Sequence, residues 1–200
     1  MNESVYAPPK TDFTTKEEGV EEPGFYVVSP HKMTVLFMAT LGFYQIYWNY
    51  KNWSRYKQLA RRDDGPDQNI WPVPRAVFSI FFTHALFREV DAFATSRERP
   101  LQWDAAANAT KLVLLLFASG ISGRLSDKGI GSPYTDMVWL LLLIPMVILY
   151  RQAQRHINAA CGDREARGNS DFTVANWIWI VIGGGLMALF ALSLMLPEST

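Results

Sequence analysis

One cysteine in 200 residues, Cys161, excludes an intrachain disulfide and any metal site built on cysteines. Net charge is missing as well: 19 Lys and Arg stand against 19 Asp and Glu, without the basic excess of a nucleic-acid binder. The chain also lacks a basic start followed by an apolar core. Its first 32 residues hold Lys10, Lys16 and Lys32 against Glu3, Asp12, Glu17, Glu18, Glu21 and Glu22, which is not a secretory signal. No segment reads as a phosphate loop, a nucleophile elbow or a zinc-protease helix. His156, Cys161 and Asp163 lie close in sequence but match no metal-ligand spacing. No catalytic, cofactor-binding or metal-ligating set is therefore assigned, and no cofactor is expected.

What is present is long stretches without charge. With 49% apolar residues and a mean hydropathy of 0.00, the average looks like that of a soluble protein. Residues 137–150 and 175–196 contradict the average, because neither run carries a charge. The second has 22 residues, enough to cross a hydrocarbon core about 30 Å thick as a helix. The expected class is all-α, a polytopic membrane helix bundle of about four transmembrane helices plus one interfacial or re-entrant helix.

The pattern divides the chain into an acidic tail over 1–24, expected to be disordered, and one transmembrane helical domain over 25–196. Residues 25–28 read as a short extended stretch at the interface. Ser29-Pro30 then reads as a cap with proline at the first helical position. Helices are expected at about 31–59, 75–96, 101–124, 134–160 and 172–196. In the first, residues 33–50 are uncharged and form a spanning candidate, followed by a basic amphipathic extension with Lys51, Arg55, Lys57, Arg61 and Arg62. In the second, only Ala76–Phe87 is apolar between Arg75 and Arg88, which suits an interfacial or re-entrant segment better than a span. Residues 119–132, rich in Gly and Ser, read as a loop.

Charge asymmetry then ranks the topologies. Four spans with the N-terminus outside leave 14 Lys and Arg inside against 5 outside, whereas five spans give 11 against 8. Three spans with the N-terminus inside give 17 against 2, but residues 33–50 must then not cross. Since the rule always rewards fewer crossings, four spans are the expectation.

Leu41-Gly-Phe-Tyr-Gln-Ile-Tyr-Trp-Asn-Tyr-Lys-Asn-Trp53 resembles the Gly-x-Tyr-x-x-Tyr-Trp signature of a bacterial family of small polytopic inner-membrane proteins, classed as a domain of unknown function. Ile70–His84 is similar to the companion segment of a proteobacterial subgroup, and Asn169–Trp179 with Gly183–Gly185 to its last helix. The resemblance covers roughly 25–196. It implies a multi-pass protein of the bacterial inner membrane with no established activity. Some members are labelled permease-like, but 200 residues are too few for a transporter of 12 helices.

Three groups of residues are candidates. His84 and Arg88 lie one turn apart on one face, as a proton- or anion-handling pair or as an interfacial pair with Arg88 snorkelling. Tyr44, Gln45, Tyr47, Trp48, Asn49 and Trp53 suit a polar groove for a headgroup or peptide, and equally an interfacial aromatic belt. Gly183, Gly184 and Gly185 suit a half-helix break or, preferably, a flat face for close helix packing. The leading expectation is a non-enzymatic accessory or scaffold protein. Its partners would be the bilayer, anionic headgroups at 51–62 and 151–167, and a membrane-protein partner or a second copy. The alternative is a small oligomeric transporter or channel lined by His84 and Arg88. A membrane enzyme pairing His84 with Glu89 or Asp91 is disfavoured, because seven residues separate His84 from Asp91.

Overall fold

A computed structural model of the chain describes residues 23–63 and 69–195. The expected tail lies outside the described residues apart from Pro23 and Gly24, and Gly24 is buried. Among the described residues there are seven α-helices and no strand. They are α1 (Pro30–Ala39), α2 (Tyr44–Arg62), α3 (Pro72–Val77), α4 (Ser79–Ser96), α5 (Ala105–Asp127), α6 (Tyr134–Ala160) and α7 (Val174–Met195), with a 3-10 turn at Arg167–Asn169.

An antiparallel pair of long helices, α5 and α6, forms the spine. Asp104 caps α5 by accepting from the Ala107 N–H at 2.8 Å. At one end of the pair Trp103 stacks on His156 with centroids 4.9 Å apart. At the other, Ser122 donates to the Thr135 carbonyl at 2.9 Å. The end with Trp103 and Ala160 is termed proximal here, and the end with residues 128–133 distal. The helix α5 continues to Asp127, so the loop expected at 119–132 shrinks to the turn after it. Within that stretch Ser122 bonds the start of α6 and Gly123 lies against Trp139, while Gly120 faces open space.

The first expected helix, 31–59, is two. Tyr150, two-thirds of the way along α6, meets both Phe37 of α1 and Trp48 of α2, at centroid distances of 5.4 and 5.2 Å. Nearer the proximal end, Val28 bonds Asn158 and Trp48 bonds Gln154. The chain thus runs from the level of Asn158 towards the distal end, turns at Thr40–Phe43 beside Leu143, and returns. The turn stops about 14 Å short of the start of α6, taking 1.5 Å per residue. Residues 33–50 therefore double back instead of forming one span. The cause is local. Gly42 N–H bonds the Phe37 carbonyl at 2.8 Å and Leu41 N–H the Met38 carbonyl at 3.1 Å. This is a Schellman end, with Leu41 at φ 51 and Gly42 at φ 87.

The expected helix 75–96 is also broken, at Phe78 (φ −96, ψ 38), into α3 and α4. The arm α3 packs along α2, while α4 lies antiparallel to α5, with His84 at Thr110 and Phe87 at Trp103. Extrapolating that register puts Ser79 beside the middle of α5. Residues 72–96 thus enter from the proximal end, stop halfway and return to it.

Among the described residues, two helices are by length and composition long and apolar enough to cross a membrane, Ala105–Asp127 and Met137–Ala160, where four spans were expected. Only 22% and 33% of their apolar windows are buried, unlike an apolar helix in the core of a soluble domain. The described apolar part of α7, Val174–Leu189, belongs to the charge-free run 175–196, and among the described residues α7 packs on α1 and on no other helix. There, an ideal Cβ on Gly183 would overlap the Ala39 carbonyl oxygen, so only glycine permits this approach. Gly184 and Gly185 face open space.

Candidate functional site

Polar side chains are concentrated inside the proximal half. Asn49, Asn52, Gln154 and Asn158 are all buried, on the same helical stripes as Trp48, Trp53, Tyr150 and Ile157. Their neighbour is the extended segment 23–29, which has no helix or sheet to satisfy its backbone. Amides do that instead. Asn52 Oδ1 accepts from the Tyr26 N–H at 3.2 Å, and Gln154 Nε2 donates to the Tyr26 carbonyl at 2.9 Å. Asn169 Nδ2 donates to the Val27 carbonyl at 2.9 Å. Asn158 accepts from the Val28 N–H at 3.4 Å and donates to its carbonyl at 3.0 Å. Gln154 also donates to Asn158 at 2.6 Å and accepts from the Trp48 indole at 2.5 Å. Phe25 anchors the start of the segment, stacked on Tyr56 and edge-on to Phe93. Residues 25–28 are thus extended, as expected, with Phe25 and Val28 buried and Tyr26 and Val27 half-buried, and side-chain amides replace the water their backbone would otherwise need.

Lys32 extends the network, donating to Asn169 Oδ1 at 2.7 Å and the Asp171 carbonyl at 2.6 Å. Burial lowers its pKa below the usual lysine value, and the charge of Asp171 acts in the opposite direction. Beside Phe25, burial pushes the Cys161 thiol up to about 11, against the smaller opposing effects of the Phe25 backbone and Arg99.

The signature residues divide between this interior and a groove. Gln45 accepts from the Tyr150 hydroxyl at 2.8 Å, and Asn49 donates to the Gln45 carbonyl at 2.9 Å. Trp48 and Trp53 are buried, and Arg75 lies 4.3 Å over the Trp53 ring. These rings are interior parts of a folded hairpin, not an exposed belt. Tyr44 and Tyr47 line a groove of about 370 Å³ between α2 and α7, whose floor is Leu36 of α1 and Thr40 just after it. Gly183 lines it too. His84 and Arg88 lie one turn apart on the exposed face of α4, each with another partner: His84 is 3.1 Å from the Thr110 hydroxyl and Arg88 3.0 Å from Glu89. Neither lines the groove.

Sequence reasoning passed over Asn52, Gln154, Asn158, Asn169 and Lys32. A signal existed for two of them: Gln154 and Asn158 continue, at spacings of three and four, the stripe Leu143-Met146-Val147-Tyr150. Amides on a buried stripe need partners. Compared with family models, curated proteins and solved structures, the chain matches none. The family resemblance is carried by the quoted residues alone.

Proposed function

We propose that the chain is a non-enzymatic protein of the bacterial inner membrane that works by contact with lipid and with a membrane-protein partner or second copy. Three helices, α5, α6 and α7, cross the bilayer. The two arms α1–α2 and α3–α4 enter from the cytoplasmic side and return. The single observation that carries the reading is the inverted distribution of polarity. Amides and a lysine are buried among the rings of the proximal interior, while Leu114, Phe117, Ile121, Leu141, Ile144 and Ile148 of the spine are exposed. A water-soluble protein rarely leaves so large an apolar belt bare.

Charge supports the orientation. Of the described Lys and Arg, only Arg124 and Lys128 belong to the distal end. With residues 33–50 doubling back, the three-span count of 17 against 2 no longer requires leaving a long helix unspanned. The basic stretches 51–62 and 151–167 then face the cytoplasmic leaflet, where each Lys or Arg near an anionic surface contributes about 1 kcal/mol.

The test is reconstitution in nanodiscs with neutral or anionic lipid, after alkaline carbonate extraction of membranes. The protein should resist extraction and unfold at a higher temperature in anionic lipid. Charge reversal at the exposed Arg61, Arg62 and Arg155 should remove that difference. Release by carbonate, or equal midpoints in the two lipids, would contradict the reading.

A further inference from the structure

The helices α2 and α7 both pack on α1 but not on each other, and this leaves the groove between them open along its length. Its volume of about 370 Å³ is that of a small-molecule site. The lining is graded. Towards the proximal end it offers Thr173, Asn176 and the rings of Tyr44 and Tyr47. Towards the distal end it is apolar, with Phe43, Ile182 and Leu186. The Tyr44 hydroxyl is buried at this level, with Tyr26 and Tyr47 as its polar neighbours. Just beyond Tyr47, the Lys51 ammonium sits 5.8 and 5.9 Å from the ring centroids of Tyr47 and Tyr26, with no carboxylate in salt-bridge range among the described residues. A polar mouth with a cation that meets two tyrosine rings but no carboxylate among the described residues, above an apolar slot, matches one amphiphile in one orientation.

We infer that the groove between α2 and α7 holds a single anionic phospholipid, one acyl chain lying over Leu36 and Thr40 and its phosphate beside Lys51 and Tyr47. The assignment rests on the membrane reading above and adds to it a defined lipid site. The proximal end, where Lys51 lies, is the headgroup level in that reading, so the gradient of the groove and that of the bilayer coincide. A purely hydrocarbon occupant would make no use of the ammonium, and the choline of a zwitterionic headgroup would offset the phosphate there, so the net-anionic lipid is the one favoured.

Native mass spectrometry of the intact protein, titrated with dioleoyl phosphatidylglycerol or dioleoyl phosphatidylcholine, tests the inference. The wild type should retain one phosphatidylglycerol in preference to phosphatidylcholine. Ala175→Phe, at an exposed position in the α7 wall, should fill the slot and weaken retention of both lipids at least tenfold. Lys51→Gln should keep the bound lipid but lose the preference for the anionic headgroup. Equal retention by wild type and Ala175→Phe would overturn the site, and an unchanged preference in Lys51→Gln would overturn its headgroup assignment. Both results leave carbonate resistance untouched. Carbonate release of the wild type would instead defeat the membrane reading itself.

Discussion

Asn158 satisfies both backbone groups of Val28 and accepts from Gln154, so its side chain takes part in three bonds away from water. Asn158→Leu keeps the branched shape but strands those partners, and an unmet buried polar group costs about 1–3 kcal/mol. The thermal midpoint in detergent should fall accordingly, while Arg155→Ala, one turn away and exposed, should change it little. Equal midpoints for the two variants would mean that the amide network holds nothing together. Cys161 offers a second check. With its thiol pushed up to about 11, maleimide labelling of folded protein near pH 7 should be far slower than in denaturant, and should climb up to about pH 11. The sign follows from linkage. The folded state holds its proton more tightly, so this contribution to stability is full below the ordinary thiol pKa of 9.0 and is lost as pH rises to about 11. Little of this residue chemistry was legible in advance. An amide on a stripe announces that it needs a partner, but not that the partner is a segment some 130 positions away.

At the scale of the element, composition located the helices better than their breaks. The boundaries of α7 follow its charge-free run, α6 extends beyond 137–150 to the expected 134–160, and Asp104 caps α5 as its side chain allows. The turn at 40–43 was hidden because it lies inside an uninterrupted apolar and aromatic run, where hydropathy sees one helix. The cue was Leu41-Gly42, a glycine that ends a helix without any polar signal. Leu41 carries a left-handed φ of 51, which costs a side-chain-bearing residue roughly 1–2 kcal/mol. Leu41→Gly should therefore raise the thermal midpoint or leave it unchanged, whereas Leu41→Val, branched at Cβ, should lower it. The glycine triple divides in the same way. Gly183→Ala must push α7 away from the Ala39 carbonyl, at a cost of about 1–3 kcal/mol. Gly184→Ala meets open space and should cost nothing. Trypsin sensitivity around Arg164 and Arg167 would report the release of α7. Equal sensitivity in the two variants would show that the packing face is not Gly183.

The whole molecule is a pair of long helices flanked on their proximal half by two arms that turn back, with α7 laid against one arm. All-α architecture and apolar, membrane-type helices were readable from charge-free runs. The number of crossings was not, because the positive-inside count depends on which segments cross, and two of the five candidates are folded in half. The count and the geometry agree only when the N-terminus is cytoplasmic. In that arrangement the basic stretches, the polar interior and the mouth of the groove share one leaflet. Every functional statement above depends on it.

The side of the membrane that holds the N-terminus is therefore the measurement to make. On a Cys161→Ser background, Thr11→Cys would be probed with an impermeant maleimide in right-side-out and inverted vesicles, with Ile130→Cys as the distal control. Three spans with re-entrant arms predict that Thr11→Cys labels only in inverted vesicles and Ile130→Cys only in right-side-out ones. Labelling of both positions from the periplasmic side would mean that residues 33–50 cross as one helix, and would contradict the account.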